Sequence, residues 1–292
     1  MTKKSIILVL LSTLSLGLGA QEFNFGIRAG LNYSRFVGPT LDVEGADERF
    51  AFSNGFHFGI TWDYNFTDII ALKTELLYIQ KGTEYIYNGD SYYKIEVPGM
   101  DDKLVEFGQA EMTLDISNAY LSFPLMLSSK VGKKWEVFGG VYGNILLQPT
   151  GRGIYKFTSN DRPQEILFDQ SLDFNYRSDQ AGEGRTVRRP IGILVDGQQV
   201  FFAKIAGAYF QYEPEERTNN LINSFDGGLS FGANYFMNRG FYFGMRGTYG
   251  LFDMTDNQSD RSFREINDDG SLIFTEDNDV QFGLQFSFGF RF

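Results

Sequence analysis

The sequence predicts an all-β protein, a transmembrane antiparallel up-and-down β-barrel most simply built from eight strands. Three observations predict it. Eight stretches alternate apolar and polar residues with a period of two, which gives each strand two unlike faces. The connections between them alternate strictly between short and long, the loop asymmetry of a barrel in an outer membrane. An N-terminal segment has the layout of a secretory signal, and no later stretch is apolar enough to cross a bilayer as a helix, so a membrane protein of this composition must cross as closed strands.

Residues 1–20 read MTKKSIILVLLSTLSLGLGA, with Lys3 and Lys4 ahead of an uncharged run from Ser5 to Ala20. Its length and small-residue end suit a signal peptide cut after Ala20, leaving residues 21–292 as the barrel. The chain has no cysteine, which excludes both a lipid-anchored cysteine and a disulfide framework.

The first strand, FNFGIRAGLNY, sets Phe23, Phe25, Ile27, Ala29, Leu31 and Tyr33 against Asn24, Gly26, Arg28, Gly30 and Asn32. FHFGITWDYNF does the same with Phe56, Phe58, Ile60, Trp62, Tyr64 and Phe66 against His57, Thr61 and Asp63. IIALKTELLYIQK is less regular, with Lys73 and Glu75 on its polar face, and AYLSFPLMLSS follows with Leu121, Phe123, Leu125 and Leu127 outward. WEVFGGVYGNIL, FDGGLSFGANYF and FYFGMRGTYGL supply the next three, and VQFGLQFSFGFRF closes the series. Each is near the ~9–11 residues that a tilted membrane strand needs.

Short turns fall at Thr67-Asp68, Gly132-Lys133-Lys134 and Asn238-Arg239-Gly240, and long connections at 34–53, 82–117, 148–223 and 254–278. This order places both termini with the short turns, on the periplasmic side of an outer membrane. The net charge of −11 is concentrated in the four long connections, so strands and short turns are nearly neutral. Within the connection 148–223, Asp196-Gly197 between apolar runs is a hairpin signal. It is read either as a hairpin above the membrane or as two further strands, giving ten. The short Ile191 arm behind Arg188, Arg189 and Pro190 favours the hairpin.

Two sets of side chains stand out. Arg28, Asp63, Lys73, Glu75, Glu136, Asp226, Arg246 and Arg291 lie on the inward parity and are expected to pair across the lumen, because an unpaired buried charge is costly. Trp62, Tyr64, Phe66, Trp135, Tyr235, Phe241, Phe290 and Phe292 gather near the short-turn end, where an aromatic girdle meets the membrane surface. Catalytic chemistry is poorly provided for. The single histidine, His57, has no nearby acid in sequence, and one His without Cys makes zinc improbable. No cofactor, no resident metal and no nucleic-acid partner is expected. EINDDGSLIFTE imitates a calcium loop with Glu265, Asn267, Asp269, Gly270 and Glu276, but Glu265 breaks the pattern and Asn267-Asp268-Asp269-Gly270 reads better as a β-turn. Loose divalent-ion binding by the acidic loops, bridging them to lipopolysaccharide, is a softer expectation.

FGIRAGLNYSRF, NAYLSFPLMLSSKVGKKWEVFGGVYGNILL, DGGLSFGANYFMNRGFYFGMRGTYGL and the aromatic C-terminal end resemble the PorT-like outer-membrane β-barrel family of Gram-negative bacteria. The resemblance implies a small barrel, an outer-membrane location and a closing strand read by the barrel assembly machinery. It implies no shared catalytic motif, and an accessory role in secretion or surface binding for some members. The expected function is therefore non-enzymatic: a filled barrel in outer-membrane lipid and lipopolysaccharide that meets an envelope or secretion partner through its long loops, above all 148–223. A narrow channel is the alternative, and a loop-borne enzyme the third reading.

Overall fold

The computed structural model describes residues 23–100, 103–217 and 219–292; the signal-peptide reading of residues 1–20 lies outside the described residues. Eight long strands carry the fold: β1 (Phe23–Val37), β2 (Ser53–Asn65), β3 (Ile70–Ile95), β4 (Leu104–Val131), β5 (Trp135–Ser159), β6 (Phe225–Phe236), β7 (Phe241–Gly250) and β8 (Val280–Arg291). Each pairs antiparallel with its neighbour in this order. β8 then returns to β1, from Gly26 opposite Arg291 to Val37 opposite Val280. The ring is closed, so no strand edge faces lipid, as hydrocarbon requires.

The alternation in the sequence becomes the two faces of this wall. Phe25, Ile27, Leu31, Phe58, Ile60, Leu125, Val141, Phe231 and Phe288 are exposed on the outside, where lipid covers them. Arg28, Asn32, His57, Asp63, Asn144, Asp226 and Gln285 are buried within.

The structure departs from the sequence reading in the second and third long connections. Most of 82–117 is strand, because β3 and β4 stay paired from Ile70 opposite Ser129 to Ile95 opposite Leu104. β5 likewise continues to Ser159, and the strand Leu167–Asn175 pairs beside it. Charge in these segments marks their exit from the bilayer and not an end of pairing. The outer face of β4 changes from Leu127, Leu125 and Phe123 to the exposed Asp115, Glu111 and Gln109, and Glu111 meets Lys156 of β5 at 3.2 Å.

A bulge sits at the change. Tyr120 faces Leu146 and Ala119 faces Gln148, leaving Leu147 unpaired. Such an extra residue shifts the side-chain parity of its strand. Below it Glu136, Phe138 and Tyr142 point inward; above it Tyr155 and Phe157 do.

Above the barrel the same sheet encloses a second, aromatic core. Tyr93 packs against Phe168 at 4.8 Å, Phe202 at 5.7 Å and Phe157 at 5.8 Å between ring centroids. Phe202 arrives on the hairpin Ile191–Val195 with Gln198–Phe202, turned by Asp196 and Gly197 at φ 48° and 77°, as a two-residue type I′ loop requires. This hairpin is not part of the barrel wall, which fixes eight strands and not ten. The strand Arg261–Ile266 pairs with Leu272–Phe274, so the calcium-loop look-alike is a hairpin, with Asp269 spent on the Ser271 amide at 3.0 Å and hydroxyl at 2.6 Å.

Candidate functional site: a filled lumen beneath an aromatic cavity

Inward parity brings the charged lumen residues into three groups. Nearest the short turns, Lys73 binds Asp63 at 2.9 Å and Glu136 at 3.1 Å, while Arg291 binds the same two carboxylates at 2.8 and 2.5 Å. Two cations here face two anions. Further along, Glu75 Oε1 accepts from Arg28 at 2.8 Å and from Arg246 at 2.7 Å. At the top, Asp226 accepts from Asn144 at 2.6 Å and lies 3.7 Å from Lys81. Lys81 shares inward parity with Lys73 and Glu75, but it is the last residue of IIALKTELLYIQK, and the sequence alone does not join it to the charged set.

Uncharged groups fill the remaining lumen. Met126, Tyr120, Leu77, Phe138, Tyr142 and Tyr242 are all buried inside, and Lys81 stacks on the Tyr142 ring at 4.3 Å. An eight-stranded barrel has room for little more than its own side chains. His57 is buried among them. Asn32 donates its amide to the Gln80 carbonyl, so its Oδ1 is left to accept from His57 Nδ1 at 2.7 Å. His57 Nε2 then accepts from Ser287 Oγ at 2.9 Å, and Ser287 accepts from Arg28. Both ring nitrogens are used in holding the lumen together.

The aromatic residues of the short-turn end lie outside the wall. Trp135 packs on Tyr235 at 5.0 Å, Tyr64 on Phe66 at 5.1 Å and Phe290 on Phe292 at 5.1 Å; Trp62 stands opposite Phe25, and Phe241 opposite Phe290.

The space the lumen lacks is found above it. A cavity of about 500 Å³ lies between the upper sheet and the loops, lined by Phe36, Tyr85, Met112, Leu114, Ile116, Phe174, Phe210 and Phe263 among others. Arg261 gives it a polar group, its guanidinium 4.6 Å from the Phe263 ring centroid and 5.3 Å from that of Phe210. Its buried Nη1 has no partner. Tyr85 donates to Glu48 at 2.6 Å in the same wall.

Asp260, Asp277 and Asp279 also line this cavity, with one oxygen from each inside 4.8 Å of the others. Asp260 sits at the base of the hairpin, where its carbonyl accepts from Thr275 N–H at 2.9 Å. Asp279 precedes β8 and is held by its amide, which donates to Asp253 Oδ1 at 3.1 Å. Burial, then the charge of Asp277, push the Asp279 carboxyl up to about 7. Burial and the neighbouring carboxylates raise Asp260, and burial raises Asp277. Sequence reasoning missed this trio, because only the hairpin fold brings Asp260 beside residues seventeen and nineteen positions later.

The fold and its faces define a membrane-spanning barrel of eight strands with an extramembrane cavity at its long-connection end. The outer membrane protein beta-barrel domain matches residues 19–256, and the chain belongs to that family of the outer membrane. Among solved structures it is similar to the attachment invasion locus protein Ail of Yersinia pestis, at 10% identity over 93% of this chain and 99% of that one, TM-score 0.32. It is also similar to OprG from Pseudomonas aeruginosa, at 11% identity over 93% and 96%, TM-score 0.34, and to the outer membrane protease OmpT from Escherichia coli, at 8% over 95% and 98%, TM-score 0.33. No curated protein matches the sequence.

Proposed function

We propose that the chain is a non-enzymatic binding protein of the outer membrane, with both termini and the short turns in the periplasm and the cavity facing the outside. Its ligand is a small amphipathic molecule whose apolar body enters the cavity and whose polar group meets Arg261. The carrying observation is the cavity of about 500 Å³, apolar and aromatic with one unpartnered guanidinium nitrogen, above a lumen filled by paired charges and rings. That volume lies within the ~300–1,000 Å³ of small-molecule sites, which join apolar walls to a few polar groups. The PorT-like segments support an accessory role in envelope or secretion work, with an envelope protein as the partner served.

The test is native mass spectrometry of protein extracted from outer membranes and challenged with small amphipathic compounds, beside a Leu114→Trp variant that fills the cavity. The wild type should retain a compound that the variant loses. Equal retention would sink the binding role. Planar-bilayer recording of the same samples should show no steady conductance, and a steady current would favour the channel instead.

A further inference from the structure

We propose that Asp260, Asp277 and Asp279 bind one calcium ion, which ties the base of the hairpin loop to the start of β8 at the cavity wall. Three features carry this. First, one oxygen from each residue lies within 4.8 Å of the others, close enough for a single divalent ion to touch all three. Magnesium usually takes one or two carboxylates and keeps several waters, whereas calcium accepts more oxygens in looser geometry, so a set of three carboxylates suits calcium.

Second, each of the three keeps one oxygen without a hydrogen-bond partner. Asp279 is 2% exposed, yet its Oδ1 has no hydrogen-bond partner, and neither has Oδ2 of Asp260 nor Oδ1 of Asp277. The neighbouring Asp253 is different: its Oδ1 accepts from the amides of Asp279 and Thr255 and from the Thr255 hydroxyl. Buried carboxylate oxygens are ordinarily satisfied by hydrogen bonds or a metal. Asp253 Oδ1 is thus satisfied by protein donors, whereas Asp260 and Asp277 hydrogen-bond each other, Asp279 meets the Thr255 side chain, and each of the three keeps one oxygen without a partner.

Third, the chain makes room. A side chain at Gly38 would place its Cβ 1.9 Å from Asp279 Oδ1, so any larger residue there would displace this carboxylate. The donor set is all oxygen, with no cysteine in the chain and the one histidine committed within the lumen, which selects a hard cation over zinc or copper.

The experiment uses the full chain, refolded in detergent, stripped with chelator and titrated with calcium in a calorimeter. Heat-modifiable migration in gels confirms that each variant is folded. One ion per chain is expected, bound at least tenfold more weakly by the Asp260→Asn/Asp277→Asn variant and unchanged in Asp268→Asn/Asp269→Asn, which alters only the hairpin turn. No saturable uptake by the wild type, equal affinity in the first variant, or loss in the second would overturn the site. Terbium on the wild type gives a readout that does not depend on variants. Emission lifetimes in light and heavy water should count at least three fewer waters than the free ion carries, and a full water shell would refute the three-carboxylate site.

Discussion

Replacing Glu75 by Gln takes one negative charge from beneath two guanidiniums and leaves the shape of the lumen almost unchanged. Arg28 and Arg246 both bond Glu75 Oε1, at 2.8 and 2.7 Å. Their bonding nitrogens are therefore at most about 5.5 Å apart, the sum of the two bonds. Two unit charges at that separation repel by about 3 kcal/mol at an effective dielectric of ~20. All three side chains are about 1% exposed, so water does little to screen them. Removing one partner from a buried ion pair costs roughly 3–5 kcal/mol, which agrees with this figure. Asp63 provides the internal control. Its partners Lys73 and Arg291 both keep Glu136, so Asp63→Asn should cost less, about 1–3 kcal/mol. The assay is reversible urea unfolding from lipid vesicles, followed by the fluorescence of Trp62 and Trp135. A Glu75→Gln variant within about 1 kcal/mol of wild type, or an Asp63→Asn variant equally damaged, would refute the claim that charge pairing holds this lumen.

Two further outcomes follow from the wall itself. Gly289→Ala would put a Cβ 2.2 Å from Cζ of the buried Tyr242 ring, so about 1–3 kcal/mol of overpacking is expected in the same urea titration. Tyr242→Leu in that background should recover part of it, and a neutral Gly289→Ala would show that the ring has room to move. Deleting Leu147 removes only the unpaired residue of the bulge and turns no other side chain around, so heat-modifiable migration and protease resistance of the upper half should match wild type. Loss of that resistance alone would mean that the bend of the bulge, and not only its parity, shapes the upper sheet.

Much of the barrel could be read directly from residue order. A period of two, carried by glycine and aromatic residues from Phe23 to Phe292, is imposed by a wall with lipid on one side, and no distant contact is needed to see it. The lumen charges follow from the same parity. Above the bilayer the signal inverts: Tyr85, Tyr87, Tyr155 and Phe157 turn inward while Glu111 and Lys156 turn outward, as in a soluble sheet. In the sequence these acidic segments looked like loops, because charge reports distance from lipid and says nothing of pairing. The cavity and its aspartate trio were hidden for another reason. Their members come from separate connections and meet only after the hairpin has folded over the sheet, whereas the local spacing of residues 265–276 mimics a metal loop that the fold spends on a turn.

The unbroken ladder of β3, β4 and β5 has a mechanical consequence. Met112, Leu114 and Ile116 in the cavity wall lie three to nine residues beyond Ala119 and Leu121, where the lipid-facing run of β4 ends. At ~3.3 Å per residue this is roughly 10–30 Å along the strand. The receptacle thus stands on a mast of continuous hydrogen bonds rather than on a tether. It cannot nod toward the membrane without breaking that ladder, so its height and aim are set by the wall below it.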